Sequence, residues 1–376
     1  MSETSLRKTY KYKLKPTPEQ ERVMDGIVWA CRRLYNAALE QRITLWKQRG
    51  VTRSLFEQEA ELKDLRAAMP DYAAIHSHVL QDVLARLEKT YRAFFRRMRA
   101  SRAGQTPGFP RFHGQERYHS FTYKEYGNGA QLDNGFLVLA KIGRIALRWS
   151  RLLEGTPKTV TISREADGWY VCISCADVPA QPLAPTGQET GIDLGLESFA
   201  TLADGTMIHN PRCYRKAERH LKTAQRAVAR RKQGSKRRRK AVKLLAKAHQ
   251  KVRRQRQDFQ HKTALHLVRH FDTIYHEELQ VANMVKNHSL AKSIADAGWS
   301  GFLTILTFKA ACAGKRVVAV NPAYTSQTCS GCGVIVKKGL SVRWHACPDC
   351  GTSLHRDHNA ARNIERLGQS LQGKVA

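Results

Sequence analysis

Residues 321–364 read NPAYTSQTCSGCGVIVKKGLSVRWHACPDCGTSLHRDHNAARNI. Two C-x-x-C-G knuckles stand in this stretch, Cys329–Cys332 before Gly333 and Cys347–Cys350 before Gly351. A knuckle points two thiolates at one metal, and the glycine lets the chain turn without a Cβ clash. Two knuckles at this spacing supply four thiolates, the ligand set of one structural Zn2+. Such a site folds a segment with too little apolar content to fold alone. The other five cysteines lie at 31, 172, 175, 213 and 312. An odd total in a long chain argues against a secreted disulfide scaffold and for a reducing compartment. Cys172 and Cys175 fall in a strand pattern, where residues three apart face opposite sides, so they are expected to pack rather than share a metal.

The surrounding chain is strongly basic. It has 376 residues with 64 Lys and Arg against 32 Asp and Glu, a net charge of +32, and 42% hydrophobic residues. That apolar content excludes a wholly disordered basic tail. The charge makes a polyanion the natural partner, nucleic acid before an anionic membrane. No apolar run approaches the roughly 18 residues a spanning helix needs. The opening MSETSLRKTYKYKLK has no apolar core of a signal peptide, and a cytoplasmic location is expected.

Toward the N-terminus, TYKYKL at 9–14 alternates as a strand does. Thr17, Pro18 and Gln20 form a capping box with proline at the first helical position, and Val23, Ile27, Ala30, Leu34 and Ala38 follow at helical spacing. A second helix is expected over 78–99, with Leu80, Leu84, Leu87, Tyr91, Phe94 and Met98 as its apolar face. Arg92, Arg96 and Arg99 make a basic stripe on it, suited to phosphate contacts. Residues 100–114 form a Gly/Pro-rich break. Short strands then fill 115–176, ending in a hairpin turned at Ala166-Asp167-Gly168, and a small β-barrel or open sheet is expected. A proline-rich linker spans 177–188.

A second domain is expected from about 189. Its strongest charge feature is 212–256, with twenty Lys and Arg against one acid, Glu218. Leu221, Val228, Leu244, Leu245 and Val252 persist on both sides of Gly234-Ser235, which predicts an antiparallel helical hairpin. Arg230, Arg231, Lys236, Arg237, Arg238, Arg253 and Arg254 would track a phosphate backbone on it. The order of strands and helices beyond it predicts an α/β domain with a mixed sheet. No helix-turn-helix is recognisable.

In so basic a chain, acids in apolar settings are conspicuous. Asp193 is expected mid-strand between Ile192 and Leu194, where a charge is costly unless paired. Glu277 or Glu278 ends the strand DTIYHEEL, and Asp357 opens the last helix. Together such carboxylates could hold two Mg2+ ions about 3.5–4 Å apart, since hard oxygens suit Mg2+. Asp357 alone could equally be a helix cap.

GIDLG at 191–195, HEEL at 276–279, DAGW at 296–299, NPAYTSQTCSGCG at 321–333, CPDCG at 347–351 and RDHNAARNI at 356–364, with LYNAALEQR at 34–42 and GFPRF at 108–112, resemble the TnpB family. These are transposon-associated, RNA-guided nucleases related to type V CRISPR effectors. The resemblance implies a multi-domain α/β fold. An RNase H-like (RuvC) nuclease domain would occupy 188–326 and 352–376, with a four-cysteine zinc finger inserted at 327–351. An N-terminal wedge β-barrel would occupy 1–16 and 105–187, with a helical recognition domain inserted at 17–104. Carried over by position, Asp193, Glu277 and Asp357 become the catalytic, Mg2+-binding acids, and Glu278 would face away. Cys329, Cys332, Cys347 and Cys350 become the Zn2+ ligands. His355 stands where many relatives have a non-catalytic aspartate, so activity is expected to survive with altered metal affinity or pH response. His355 and His358 are read as cap or surface residues. Gln81, and beside it Ser77 and His78, would face the short motif next to the target, where glutamine suits adenine.

The function implied is RNA-guided DNA endonuclease, a monomer in the prokaryotic cytosol with a transposon-end guide RNA and a complementary duplex DNA as partners. Three other readings compete. A guide-dependent repressor without cleavage would lack the three acids. A strand-transfer transposase would need end-specific binding, and a zinc-ribbon RNA-binding protein leaves Asp193 unexplained.

Overall fold

The fold is described from a computed structural model, over residues 6–101, 106–114, 116–339 and 342–372. The expected boundary between 104 and 105 lies outside the described residues, as do the outer ends of the first and last expected domains. The chain divides into two compact units, Met1–Pro179 and Ala180–Ala376.

The first unit runs β1 (Leu6–Lys15), α1 (Pro18–Arg49), α2 (Leu55–Ala60), α3 (Leu62–Ala68), α4 (Pro70–Ala73), α5 (Ser77–Ala100), β2 (Ser120–Tyr123), β3 (Ala130–Asp133), β4 (Phe136–Leu139), β5 (Gly143–Arg148), β6 (Thr156–Glu165) and β7 (Gly168–Val178). Its strands form one antiparallel sheet in the order β2-β6-β7-β1-β5-β4-β3. Alternation in β1 buries Tyr10, Tyr12 and Leu14. The capping box forms as expected: Gln20 N donates to Thr17, and the Gln20 side chain returns to the Thr17 amide. The helical faces differ in detail from expectation. Val23 and Met98 are exposed, whereas Met24 is buried and the buried stretch of α5 ends at Leu87. Asn36 of α1 exchanges two hydrogen bonds with the backbone of His113, at 3.0 and 2.8 Å, and so ties the segment after GFPRF to the helix.

The second unit runs β8 (Glu189–Asp193), β9 (Ser198–Leu202), β10 (Met207–His209), α6 (Cys213–Ala229), α7 (Lys236–His270), β11 (Thr273–Glu277), α8 (Val281–Met284), α9 (His288–Ala297), α10 (Trp299–Cys312), β12 (Arg316–Val320), β13 (Trp344–Ala346), β14 (Ser353–His355) and α11 (Arg356–Gln372). Its five-stranded sheet has the order β10-β9-β8-β11-β12. β8, β11 and β12 are parallel, and β9 and β10 are antiparallel to their neighbours, so the sheet is mixed. Phe199, Trp299, Phe302 and Leu267 lead its core.

The basic segment is the helical hairpin that its spacing predicts. Gly234, at φ 81°, makes the turn, and Ser235 caps α7 by accepting from Arg238 N at 3.1 Å. The start of α6 has no cap of its own. Asp296 of α9 supplies one, accepting from the amides of Tyr214 at 2.8 Å and Arg215 at 3.2 Å. A carboxylate suits the free amides and positive end of a helix N-terminus.

Two glycines decide how closely α11 lies on the sheet. A Cβ on Gly191 of β8 would stand 2.1 Å from the Ala361 carbonyl oxygen, and one on Gly368 would stand 1.9 Å from the Tyr275 ring. Neither neighbour can move away, so only glycine lets this helix dock here.

Candidate active site and metal centre

The structure ends β8 at Asp193, so the acid is the last residue of its strand rather than a mid-strand residue. Glu277 is the last residue of β11. These strands are parallel, with His276 opposite Ile192, so the next residues stand side by side at neighbouring carboxyl ends. The docking of α11 brings up Asp357, its second residue, which is buried. Sequence reasoning expected this trio, and the structure gathers it within electrostatic reach.

Asp193 shows the consequence. Its carboxyl is pushed well above the ordinary range, first by burial and then by the negative charges of Glu277 and Asp357. Arg356 and Arg343 oppose that shift. Burial also raises Glu277, against a hydrogen bond from Thr325 and the charge of Arg356. Carboxylates so placed favour either protons or metal cations between them. Glu278 is exposed, and its amide donates to Val320 O at 2.9 Å. His355 Nδ1 accepts from the Asp357 amide at 3.3 Å and lies 4.0 Å from Asp357 Oδ2, so it caps the first turn. His358 turns away, its Nε2 3.0 Å from Ala203 O.

The four knuckle cysteines converge. Their sulfurs all lie within 4.8 Å of one another, the one group of three or more metal-ligating residues so close among the described residues. Cys329–Cys350 and Cys332–Cys347 are each 3.6 Å apart. A Zn–S bond of about 2.3 Å places tetrahedral sulfurs about 3.8 Å apart, so the set fits zinc. The thiol of Cys350 is held below its ordinary value by the Thr352 hydroxyl and amide. β13 and β14 pair around the second knuckle and lead directly into Asp357.

Sequence reasoning missed the residues that clamp these parts together. Asn359 and Asn363 of α11 are buried and bond the backbone of 325–330, and Thr325 donates to Glu277. Their only trace in the sequence is membership of two motifs, TSQTC and NAARN.

A family model described as a probable transposase matches residues 170–288, and a Cas12f1-like TNB domain matches 299–364. A helix-turn-helix domain model matches 1–51, although the described residues there, 6–51, form one strand and one 32-residue helix. A TnpB-like protein of Acanthamoeba polyphaga mimivirus is 29% identical over 58% of this chain and 45% of its own. The Escherichia coli protein InsQ, with the provisional name RNA-guided DNA endonuclease, is 29% identical over 96% of this chain and 92% of its own. A Streptomyces pristinaespiralis protein with the same provisional name is 35% identical over 96% of this chain and 90% of its own. The chain belongs to the TnpB family.

Among solved structures, the Cas12f1 chain of a complex with sgRNA and target DNA shares the fold of this TnpB-family chain, with a TM-score of 0.57 at 14% identity. The match covers 96% of this chain and 99% of that one. Of the nucleic-acid contacts expected in this TnpB-family chain, Arg92, Arg96 and Arg99 are exposed on α5, with Arg92 paired to Glu88 at 3.0 Å. Gln81, Ser77 and His78 are half-buried on the first turns of α5, and His78 lies 3.4 Å from Asn128 Nδ2. Arg230, Arg231, Lys236, Arg237, Arg253 and Arg254 are exposed on the hairpin, and Arg238 is half-exposed. No described helix is long and apolar enough to cross a membrane.

Proposed function

We propose that this chain is an RNA-guided DNA endonuclease, which takes a guide RNA from a transposon end and cuts complementary duplex DNA beside a short motif. The observation that carries this reading is the meeting of Asp193, Glu277 and Asp357 at the carboxyl ends of two parallel strands and the start of the helix docked on them. The sheet order supports an RNase H-like nuclease domain at 188–326 and 352–376, with 327–351 as its zinc-finger insertion. The antiparallel sheet of the first unit supports a wedge barrel at 1–16 and 105–187, with the helices of 17–104 as the recognition domain.

Asp193, Glu277 and Asp357 would hold two Mg2+ ions, and Cys329, Cys332, Cys347 and Cys350 one Zn2+. Mg2+ held there would supply an activated water and neutralise charge on the scissile phosphate. The acids orient and charge-balance that site, Asp357 from a buried position and Asp193 and Glu277 from half-buried ones. Arg356 stands close enough to bias both Asp193 and Glu277 toward their ionised, ligating forms. The α6–α7 hairpin, together with Arg92, Arg96 and Arg99, follows the phosphates of guide RNA and heteroduplex. Gln81, with Ser77 and His78, faces the adjacent motif. The working form is a monomer in the prokaryotic cytosol.

The test is cleavage of matched duplex by protein purified with co-expressed transposon-end RNA and supplied with Mg2+. Asp357→Ala is expected to lower the rate by about three orders of magnitude, as loss of a metal-held transition-state interaction does. Wild-type cutting by that variant, or equal cutting at the same place by RNA-stripped protein, counts decisively against this reading.

A further inference from the structure

Thr325 stands between the carboxylates and the cysteines. Its side chain is 3% exposed, and its hydroxyl donates to Glu277 Oε1, with Pro322 O at 3.1 Å as a second acceptor. A hydroxyl has one proton, and a carboxylate is the stronger acceptor. Packing alone would not require the hydroxyl to point at Glu277.

The backbone that carries Thr325 is pinned from behind by α11. Asn363 Nδ2 donates to Thr325 O at 2.8 Å and to Thr328 O at 2.6 Å. Asn359 Nδ2 donates to Thr328 O at 2.7 Å, and its Oδ1 accepts from Ser330 N at 2.8 Å. Arg366 closes the far end, donating to Ser330 O at 2.9 Å. Asn359 and Asn363 are buried, so any movement of the segment would strand polar groups away from water. Cys329 lies inside this clamped segment, between Thr328 and Ser330. One short piece of chain thus presents a hydroxyl to Glu277 at one end and a thiolate to the knuckle at the other.

We infer that Thr325 is a positioning residue for the metal site. Its hydroxyl orients the Glu277 carboxylate toward a divalent cation, and the amides of α11 and the cysteine knuckle fix the hydroxyl in place. The inference rests on the proposed reading of Glu277 as a Mg2+ ligand. It assigns the four-cysteine knuckle a part in setting the geometry of the acids, beyond folding its own segment.

The full chain bound to its guide RNA is titrated with Mn2+ and followed by electron paramagnetic resonance, with Asp193→Asn as the reference that lacks the site. Single-turnover cleavage is measured over a range of Mg2+. Thr325→Val is expected to raise both the Mn2+ dissociation constant and the Mg2+ needed for half-maximal rate by about 10-fold or more, the usual cost of losing a partner of a metal ligand. Zinc content and target-DNA affinity should not change, and Thr325→Ser should restore both metal responses. The inference is overturned if Thr325→Val titrates like wild type, if it loses zinc or target binding in step with the divalent metal, or if Thr325→Ser behaves as Thr325→Val does. Should Asp193→Asn take up Mn2+ as wild type does, the metal reading of the acids fails first, and this inference with it.

Discussion

The α6–α7 hairpin and the carboxyl ends of β8 and β11 both concentrate charge of one sign, and they accommodate it in opposite ways. The hairpin region sets twenty cations against Glu218, and most of those side chains face solvent. Water hydrates each one, and salt screens repulsion beyond about 10 Å. Glu218 is itself claimed by Lys292 at 2.8 Å and Lys222 at 3.1 Å, which hold its carboxyl down at about 2. The acids at the strand ends have no such freedom. Asp193 is desolvated and repelled, and its carboxyl rises instead. A solvated stripe is stable alone and takes any polyanion of suitable shape. A desolvated cluster is under strain until a specific cation arrives.

The sharpest way to break this contrast is Asp193→Asn. Cleavage should be lost, yet without divalent metal the variant should melt at a higher temperature than wild type near neutral pH. The sign follows from the raised carboxyl. The unfolded group ionises near pH 4, whereas the folded one resists, so wild-type stability falls as pH rises between those two values. The gap in melting temperature should open over that window and then stay level. Calorimetry at a series of pH values, with chelator present, checks this; a gap independent of pH contradicts it.

A smaller effect is expected when Lys236, Arg237 and Lys240, all exposed, are changed together to Gln. The melting temperature should hold, while guide-RNA affinity weakens and the slope of log affinity against log salt shrinks by about 2 to 3. Anisotropy titrations at rising KCl measure it, and an unchanged slope would remove this stretch from the RNA path. The smallest effect probes Asp296, which caps the first of the two basic helices. Asp296→Ala should cost about 1–2 kcal/mol in urea unfolding, and Asp296→Asn less, because asparagine keeps one of the two accepting oxygens. Equal losses in the two variants would mean that the single oxygen kept by asparagine does not suffice as a cap.

What the sequence disclosed follows a physical line. Local rules read well: the Thr17–Gln20 box, the hairpin about Gly234-Ser235, and the two knuckles all depend on residues a few positions apart. Asp193 was visible because a charge between Ile192 and Leu194 is anomalous, although its strand ends one residue sooner than the pattern implies. That end is the cheaper place for it, since the carboxyl ends of parallel strands open onto a crevice. Residues that act across the fold left no local sign of their partners. Asp272 accepts from the amides of Thr186 and Gly187 and pairs with the nearly buried Lys315, and this joins the linker to the starts of β11 and β12. Asp296 caps a helix 82 residues earlier in the chain. Nothing in the spacing of such residues announces their partners, because packing alone brings them together.

The close seat of α11 over Gly191 and Gly368 has a consequence in time. Among the described elements this helix is the last to leave the ribosome, because chains are made from the N-terminus. Until it docks, Asp357 is absent from the strand ends and the segment 325–330 lacks its asparagine clamp. The growing chain can therefore fold its basic hairpin before it has a complete set of acids. Synthesis itself then delays the gathering of the three acids until the described elements before this helix have been made.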